Sequence, residues 1–249
     1  ALWMLLSRVP EDAPADRGAP LDLGPALLWS LGLGLLMLPL SLGPERGWTD
    51  PYVAGCAVGS LVVLGIFGWT ERRSRAPLLP WELIGGPLGP AAMLTLIGQM
   101  LSIGVAFLLP LYLQDVAGYD PGRAGRWLAV LPVVALFCAP LAGRWADRFG
   151  GRPLITGGLL IAAAGDVVLS GMGVGANGYL AGAILLGVGL GFFTVPNASA
   201  VMGAVPPARL GTASGLQGTM RNLGIAMGTA AAAAATATLY SRVAHAPLL

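Results

Sequence analysis

The feature that most limits this chain is a series of long apolar runs, separated by short segments rich in Gly, Pro and Arg. A bilayer core roughly 30 Å thick is crossed by about 20 consecutive apolar residues in a helix. Seven stretches reach or approach that length: about 21–42, 52–69, 91–113, 124–145, 154–172, 179–203 and 211–240. In lipid, every backbone N–H and C=O has to find its partner within the protein, so such runs become helices. The charge content agrees. Only 10% of the 249 residues are charged, against about 25% in soluble domains. The expected class is all-α, a polytopic transmembrane helical bundle whose first partner is the lipid bilayer.

The expected breaks carry turn formers: Gly43-Pro44, Pro77, Pro121-Gly122, Gly150-Gly151 and Pro206-Pro207. Within the runs, small residues let helices approach closely in lipid. Gly187/Gly191, Gly211/Gly215 and Gly224/Gly228 have the small-xxx-small spacing. Pro196 and Asn197 predict an interrupted helix. The segment from Pro77 to Glu82 follows a basic cluster and reads as a short interfacial stretch, with Trp81 at headgroup level.

Arginine sets the orientation. All 14 basic residues are Arg, and Lys is absent. Together with the Ala and Gly richness, this points to a GC-rich bacterial genome. Alternate loops divide into a rich set (Arg8, Arg17, Arg72, Arg73, Arg75, Arg144, Arg148, Arg152, Arg209) and a poor set (Arg46, Arg123, Arg126, Arg242). The positive-inside rule places the rich set in the cytoplasm. The expected location is the bacterial cytoplasmic (inner) membrane, crossed several times.

A net charge of +2 with scattered basic residues argues against a nucleic-acid partner. Cys56 and Cys138 fall inside apolar runs and read as buried free thiols. No metal spacing, no phosphate-binding Gly loop followed by Lys, and no His-based triad is present, so neither a cofactor nor an enzyme activity is expected. The single His245 reads as a tail residue. The chain opens with Ala, inside an apolar run at Ala1 to Leu6. It reads as a piece of a longer protein.

One loop carries a specific pattern: Gly143-Arg144-Trp145-Ala146-Asp147-Arg148-Phe149-Gly150-Gly151-Arg152. It resembles the G-x-x-x-D-R-x-G-R signature of the major facilitator superfamily. The departure is Gly151, where the family has a base, with Arg152 one place later. Physically, Gly143 suits close helix approach and Gly150 a tight turn. Asp147 suits a helix N-terminus or an Arg, and Arg148 and Arg152 suit ion pairs across the cytoplasmic face. A plain solvated basic loop is the alternative.

Further segments extend the likeness. Gln114, Gly118, Tyr119, Pro121, Ala124 and Gly125 resemble the Q-x-x-x-G-Y-x-P-x-x-A-G segment of the fourteen-span drug:proton antiporters of the EmrB/QacA type. Gly211 to Gly228 is similar to their late-span pattern, and Glu71 to Leu79 to their linker. The resemblance implies a partial major facilitator fold with about seven spans, corresponding to the seventh through thirteenth. Residues 1–20 then hold the end of an earlier span and a cytoplasmic linker. Residues 21–89 hold two extra linker spans and the interfacial segment, and 90–249 an incomplete second (C-terminal) bundle. The missing N-terminal bundle is the implied intramolecular partner.

Ionisable residues inside a membrane are costly and are functional candidates by default. Asp166 and Arg221 fall within spans and are the candidates for proton coupling or buried charge. A water-facing acid or a structural partner is the alternative for Asp166, and an Arg bonded to backbone carbonyls the alternative for Arg221. Ser214, Gln217 and Arg221 share one helix face, expected to point into the bundle. Thr95, Gln99 and Ser102 form a similar stripe. With Asn197 and Gln217 they make a candidate substrate cavity. Phe192, Phe193 and the Met residues offer an adaptable apolar surface. The reading is a secondary active transporter for proton-coupled efflux of small hydrophobic or cationic compounds, with small molecules and protons as its ligands. A nutrient uptake porter and a non-transporting membrane scaffold or membrane enzyme are the rivals.

Overall fold

The computed structural model describes residues 23–74, 84–171 and 176–244. These residues form helices: α1 (Leu23–Arg46), α2 (Pro51–Arg73), α3 (Leu88–Leu111), α4 (Pro121–Leu128), α5 (Val130–Phe149), α6 (Gly151–Gly171), α7 (Ala176–Gly203) and α8 (Leu210–Ala244). A π-helical turn, Tyr112–Val116, extends α3, and a 3-10 turn, Pro207–Arg209, precedes α8.

Six helical segments are long and apolar enough to cross a membrane, with α4 and α5 counted as one. The chain is a multi-pass membrane protein. The seventh expected span is one continuous helix, α8, but Gly, Ala and Thr replace large apolar side chains along it. Its 35 residues are more than enough to cross a bilayer. The Pro77–Glu82 segment, Ala1–Leu6 and His245 lie outside the described residues.

Helix boundaries follow local chemistry. Asp50 caps α2, accepting hydrogen bonds from the Tyr52 and Val53 N–H groups at 2.9 and 3.3 Å, with Pro51 in the first helical position. Asp120 caps α4 in the same way through the Arg123 N–H at 3.0 Å. The expected break at Gly43-Pro44 is not a break. Pro39 and Pro44 lie inside α1, and the turn comes at Gly47, whose φ is +93°. Membrane helices accept such prolines because neighbouring groups satisfy the freed carbonyls. The expected interruption at Pro196 is likewise absent, and α7 runs unbroken through Gly203.

Helix α7 is the centre. Half of its apolar window is buried, against 28% or less for the other five. Helices α3, α5, α6 and α8 all pack on it. Three apolar clusters line up along α7. At one end Val201 and Val205 meet Leu88, Ala91, Ala213 and Leu216. In the middle Leu186 and Leu190 meet Ala162. At the far end Tyr179 and Ala183 meet Leu109, Leu113 and Ala124. The α1–α2 hairpin joins the first cluster through Phe67, which stacks on Trp29 at 4.9 Å. The outer surface is apolar, with Leu61, Leu136, Phe137, Leu160 and Val167 mostly exposed. In water such a surface would aggregate, and in a bilayer it is solvated by lipid.

Glycine brings the helices together. A Cβ at Gly158 would lie 2.8 Å from the Gly189 carbonyl oxygen, and one at Gly165 would lie 2.6 Å from the Leu186 nitrogen. The α6–α7 contact is therefore backbone on backbone. Gly187 and Gly191 seat α7 on α5 at Leu131, Val134 and Cys138, and Gly224 and Gly228 seat α8 on α3 at Leu96 and Met100. The third expected pair, Gly211 and Gly215, has nothing within 4 Å. The decisive α6–α7 glycines were not among the pairs expected from spacing.

Candidate functional site

Antiparallel helices carry Arg72, Arg73, Arg144, Arg148, Arg152 and Arg209 to one end of the bundle, and Arg46, Arg123 and Arg126 to the other. The signature loop is the α5–α6 turn at the Arg-rich end. Gly150 sits at φ +85° and donates its N–H to the Ala146 carbonyl at 2.9 Å, closing α5. This backbone conformation is costly for any residue with a Cβ, so the tight-turn expectation for Gly150 holds. The close-approach expectation for Gly143 does not, since a Cβ there meets nothing within 4 Å. Arg144, Asp147, Arg148 and Arg152 are all exposed. Among the described residues no ion pair joins them. Arg148 instead lies over the Phe149 ring, 5.4 Å from its centroid.

Asp166 is fifteen positions into α6, about 22 Å along the axis at 1.5 Å per residue. Its side chain is half-buried beside Gly165, where α6 touches the α7 backbone. Its Oδ1 is buried without a hydrogen-bond partner among the described residues. Tyr112 in the π-helical turn also has a buried hydroxyl without a partner there.

The polar residues proposed to share a cavity are divided among helix contacts. Asn197 and Thr95 are 2% and 5% exposed and face each other between α7 and α3. The Asn197 Nδ2 donates to Thr95 Oγ1 at 2.7 Å, and Thr95 Oγ1 donates to the Ala91 carbonyl at 3.1 Å. Asn197 Oδ1 has no partner among the described residues. Gln99 turns toward α8, with its Cβ 2.9 Å from the position of a Cβ on Gly224. Ser102 and Gln217 are half-buried.

The Ser214–Gln217–Arg221 face does not point into this bundle. Ser214 and Arg221 are exposed. The reason is competition between faces: Ala213, Leu216, Gly224 and Gly228 are smaller or more apolar, and they take the contact with α3 and α7.

Two features escaped the sequence reading. Glu71 is 1% exposed near the Phe67 cluster. In the sequence it figures only as the start of the Glu71 to Leu79 stretch that resembles a linker. Tyr179 donates its hydroxyl to the Trp127 carbonyl at 2.8 Å and packs edge-on against that ring at 5.3 Å. That contact ties the Tyr119–Trp127 turn to α7. In the same turn, Gly118 adopts φ +66° and Arg123 covers the Tyr119 ring at 4.1 Å. Among the described residues no group of His, Cys, Asp or Glu is placed to hold a metal.

Comparison with known proteins adds to this geometry. The chain is 34% identical over 227 residues to the cephamycin export protein of Amycolatopsis lactamdurans, covering 89% of this chain and 46% of that protein. It is 33% identical over 229 residues to the tetracenomycin C resistance and export protein of Streptomyces glaucescens, covering 88% and 41%. A multidrug resistance protein of Mycobacterium tuberculosis is 28% identical over 222 residues, with 88% and 41% covered. The chain thus spans somewhat less than half the length of these relatives. The family model of the Major Facilitator Superfamily matches residues 2–229. An all-helical bundle centred on α7, the Gly150 turn at its Arg-rich end and a match over most of the chain have one conclusion: this chain belongs to the Major Facilitator Superfamily, a family of membrane transporters and not of enzymes.

Proposed function

We propose that this chain is the second half of a proton-coupled exporter of small hydrophobic or cationic compounds in a bacterial cytoplasmic membrane. Asp166 carries the coupling. It is an acid within a membrane-crossing helix, with one carboxyl oxygen buried and unbonded among the described residues. Such a group is expensive in a membrane, which makes it a functional candidate by default. A proton bound there during one half-cycle and released in the other would link the gradient to substrate movement.

The rest of the transporter supplies the other wall of the pathway. The relatives are about twice as long as this chain, which supports a partner bundle in the same polypeptide. The export and resistance activities of those relatives support efflux over uptake. Alternating access then moves one bundle against the other about a midplane site. The face of α8 that carries the exposed Ser214 and Arg221 and the half-buried Gln217 would meet that second bundle. The half-buried Gln99 and Ser102 of α3 would border the pathway once the bundles part, while Thr95 and Asn197 stay buried between α3 and α7. The α1–α2 hairpin is the extra pair of a fourteen-span architecture, joined to the bundle at Phe67. Asp147, Arg148 and Arg152, without an ion pair among the described residues, would latch the Arg-rich face shut.

The test uses the full-length protein in inverted membrane vesicles. A proton gradient should drive accumulation of a fluorescent cationic dye, and collapsing the gradient should stop it. Asp166→Asn should remove gradient-driven transport while leaving dye binding in place. Transport unchanged in that variant would overturn the role of Asp166, and transport that persists without a gradient would overturn the antiporter reading.

A further inference from the structure

Beside the signature loop lies an apolar groove of about 610 Å³, lined by Trp145, Phe149, Pro153, Gly157, Ile161 and Phe192, among others. It is the gap between α5 and α6, floored by α7. Trp145 packs on Phe192 at 5.4 Å and forms one wall. The groove starts at the Gly150 turn and runs to Ile161, about 16 Å along α6 at 1.5 Å per residue. Its inner end is therefore at the depth of acyl chains and its outer end at headgroup level, where Trp is favoured.

The outer rim is basic. Arg144, Arg148 and Arg152 are exposed there, against the single carboxylate of Asp147. Arg148 leans over Phe149, a groove residue, so a cation is held at the mouth. The wall beside Gly157 is open, with nothing within 4 Å of where its Cβ would be. An apolar slot with guanidinium groups at one end matches an amphiphile that has an apolar tail and an anionic head. Basic pockets between membrane helices hold lipid headgroups by the same combination.

We infer that this groove is a binding site for an anionic phospholipid, with one acyl chain along Trp145, Gly157 and Ile161 and the phosphate at Arg148 and Arg152. The site shares Arg148 and Arg152 with the latch proposed above, and its apolar lining includes none of Gln99, Ser102, Ser214, Gln217 or Arg221. It rests on the bundle geometry and not on the coupling role of Asp166.

Native mass spectrometry of the delipidated full-length protein tests this, with phosphatidylglycerol and phosphatidylcholine added in equal amounts. Wild type should retain phosphatidylglycerol preferentially. Arg148→Gln with Arg152→Gln should lower that retention on the order of tenfold. Gly157→Leu, which fills the groove without touching the rim, should lower retention of the same lipid while all three arginines remain. Brominated phosphatidylglycerol should quench tryptophan fluorescence more than its phosphatidylcholine counterpart, and Trp145→Phe should erase the difference. Equal retention of the two lipids, or retention untouched by Gly157→Leu, would overturn the site. Either result would point to a groove covered by the remainder of the protein or to nonspecific charge attraction.

Discussion

The buried clasp between Thr95 and Asn197 gives the sharpest test of how this bundle is held. Thr95→Val keeps the shape of the side chain and removes the oxygen that accepts from Asn197 Nδ2 at 2.7 Å. The Asn197 amide is 2% exposed, and its Oδ1 already lacks a partner among the described residues. The variant would therefore leave the whole amide buried without bonds. An unsatisfied buried polar group costs about 1–3 kcal/mol in water-soluble proteins. Membrane hydrogen bonds measure lower, about 0.6 kcal/mol on average and about 1.7 at most, because unfolded helices in lipid find other partners. The complete burial of this amide argues for the upper part of the membrane range, so a loss of about 1.5 kcal/mol is expected. That is roughly a tenfold shift in the folding equilibrium. The double variant Thr95→Val with Asn197→Leu replaces both partners by apolar groups of similar size and should recover most of the loss. Unfolding of the full-length protein in micelles with rising sodium dodecyl sulfate reads both effects. A Thr95→Val protein as stable as wild type, or a double variant weaker than the single one, would refute the clasp.

Other outcomes follow from the same geometry. Gly158→Leu and Gly165→Leu should each destabilise the bundle by at least about 1–3 kcal/mol, because the added atoms meet α7 backbone and not a movable side chain. Gly143→Ala, with open space around it, should leave the unfolding midpoint unchanged. Gly150→Ala should cost about 1–2 kcal/mol because of its φ of +85°, whereas Gly151→Ala meets only ordinary contacts at 3.8 Å or more and should be nearly neutral. Tyr179→Phe loses the hydrogen bond to Trp127 and should cost about 0.5–1.5 kcal/mol, seen as faster amide exchange around 119–128.

Much of this protein is set by local chemistry. The apolar runs determined the membrane helices, since lipid leaves the backbone no other way to satisfy its polar groups. Gly150 announced its turn because a left-handed residue at the end of a helix needs no tertiary context. The Arg144–Arg152 pattern carried the family likeness that the match over residues 2–229 supports. Prolines misled at Pro44 and Pro196, because the rule that they break helices is learned from water, where freed carbonyls are not met by neighbouring helices.

Only the tertiary structure decided which face of each helix turns inward. Apolarity is nearly uniform around these helices, so no hydrophobic stripe marks the buried side. Small residues mark it instead, and their meaning depends on the partner. Gly187, Gly191, Gly224 and Gly228 are contacts, while Gly211 and Gly215 carry the same spacing and touch nothing. The polar face of α8 turned outward for that reason, since close backbone approach through Gly224 and Gly228 fixed the opposite side against α3. Thr95 and Asn197 lie far apart in the chain and became one hydrogen-bonded pair only when α3 met α7. The long apolar runs determined that the chain crosses a membrane, and the contacts among small side chains decided how its helices are arranged there.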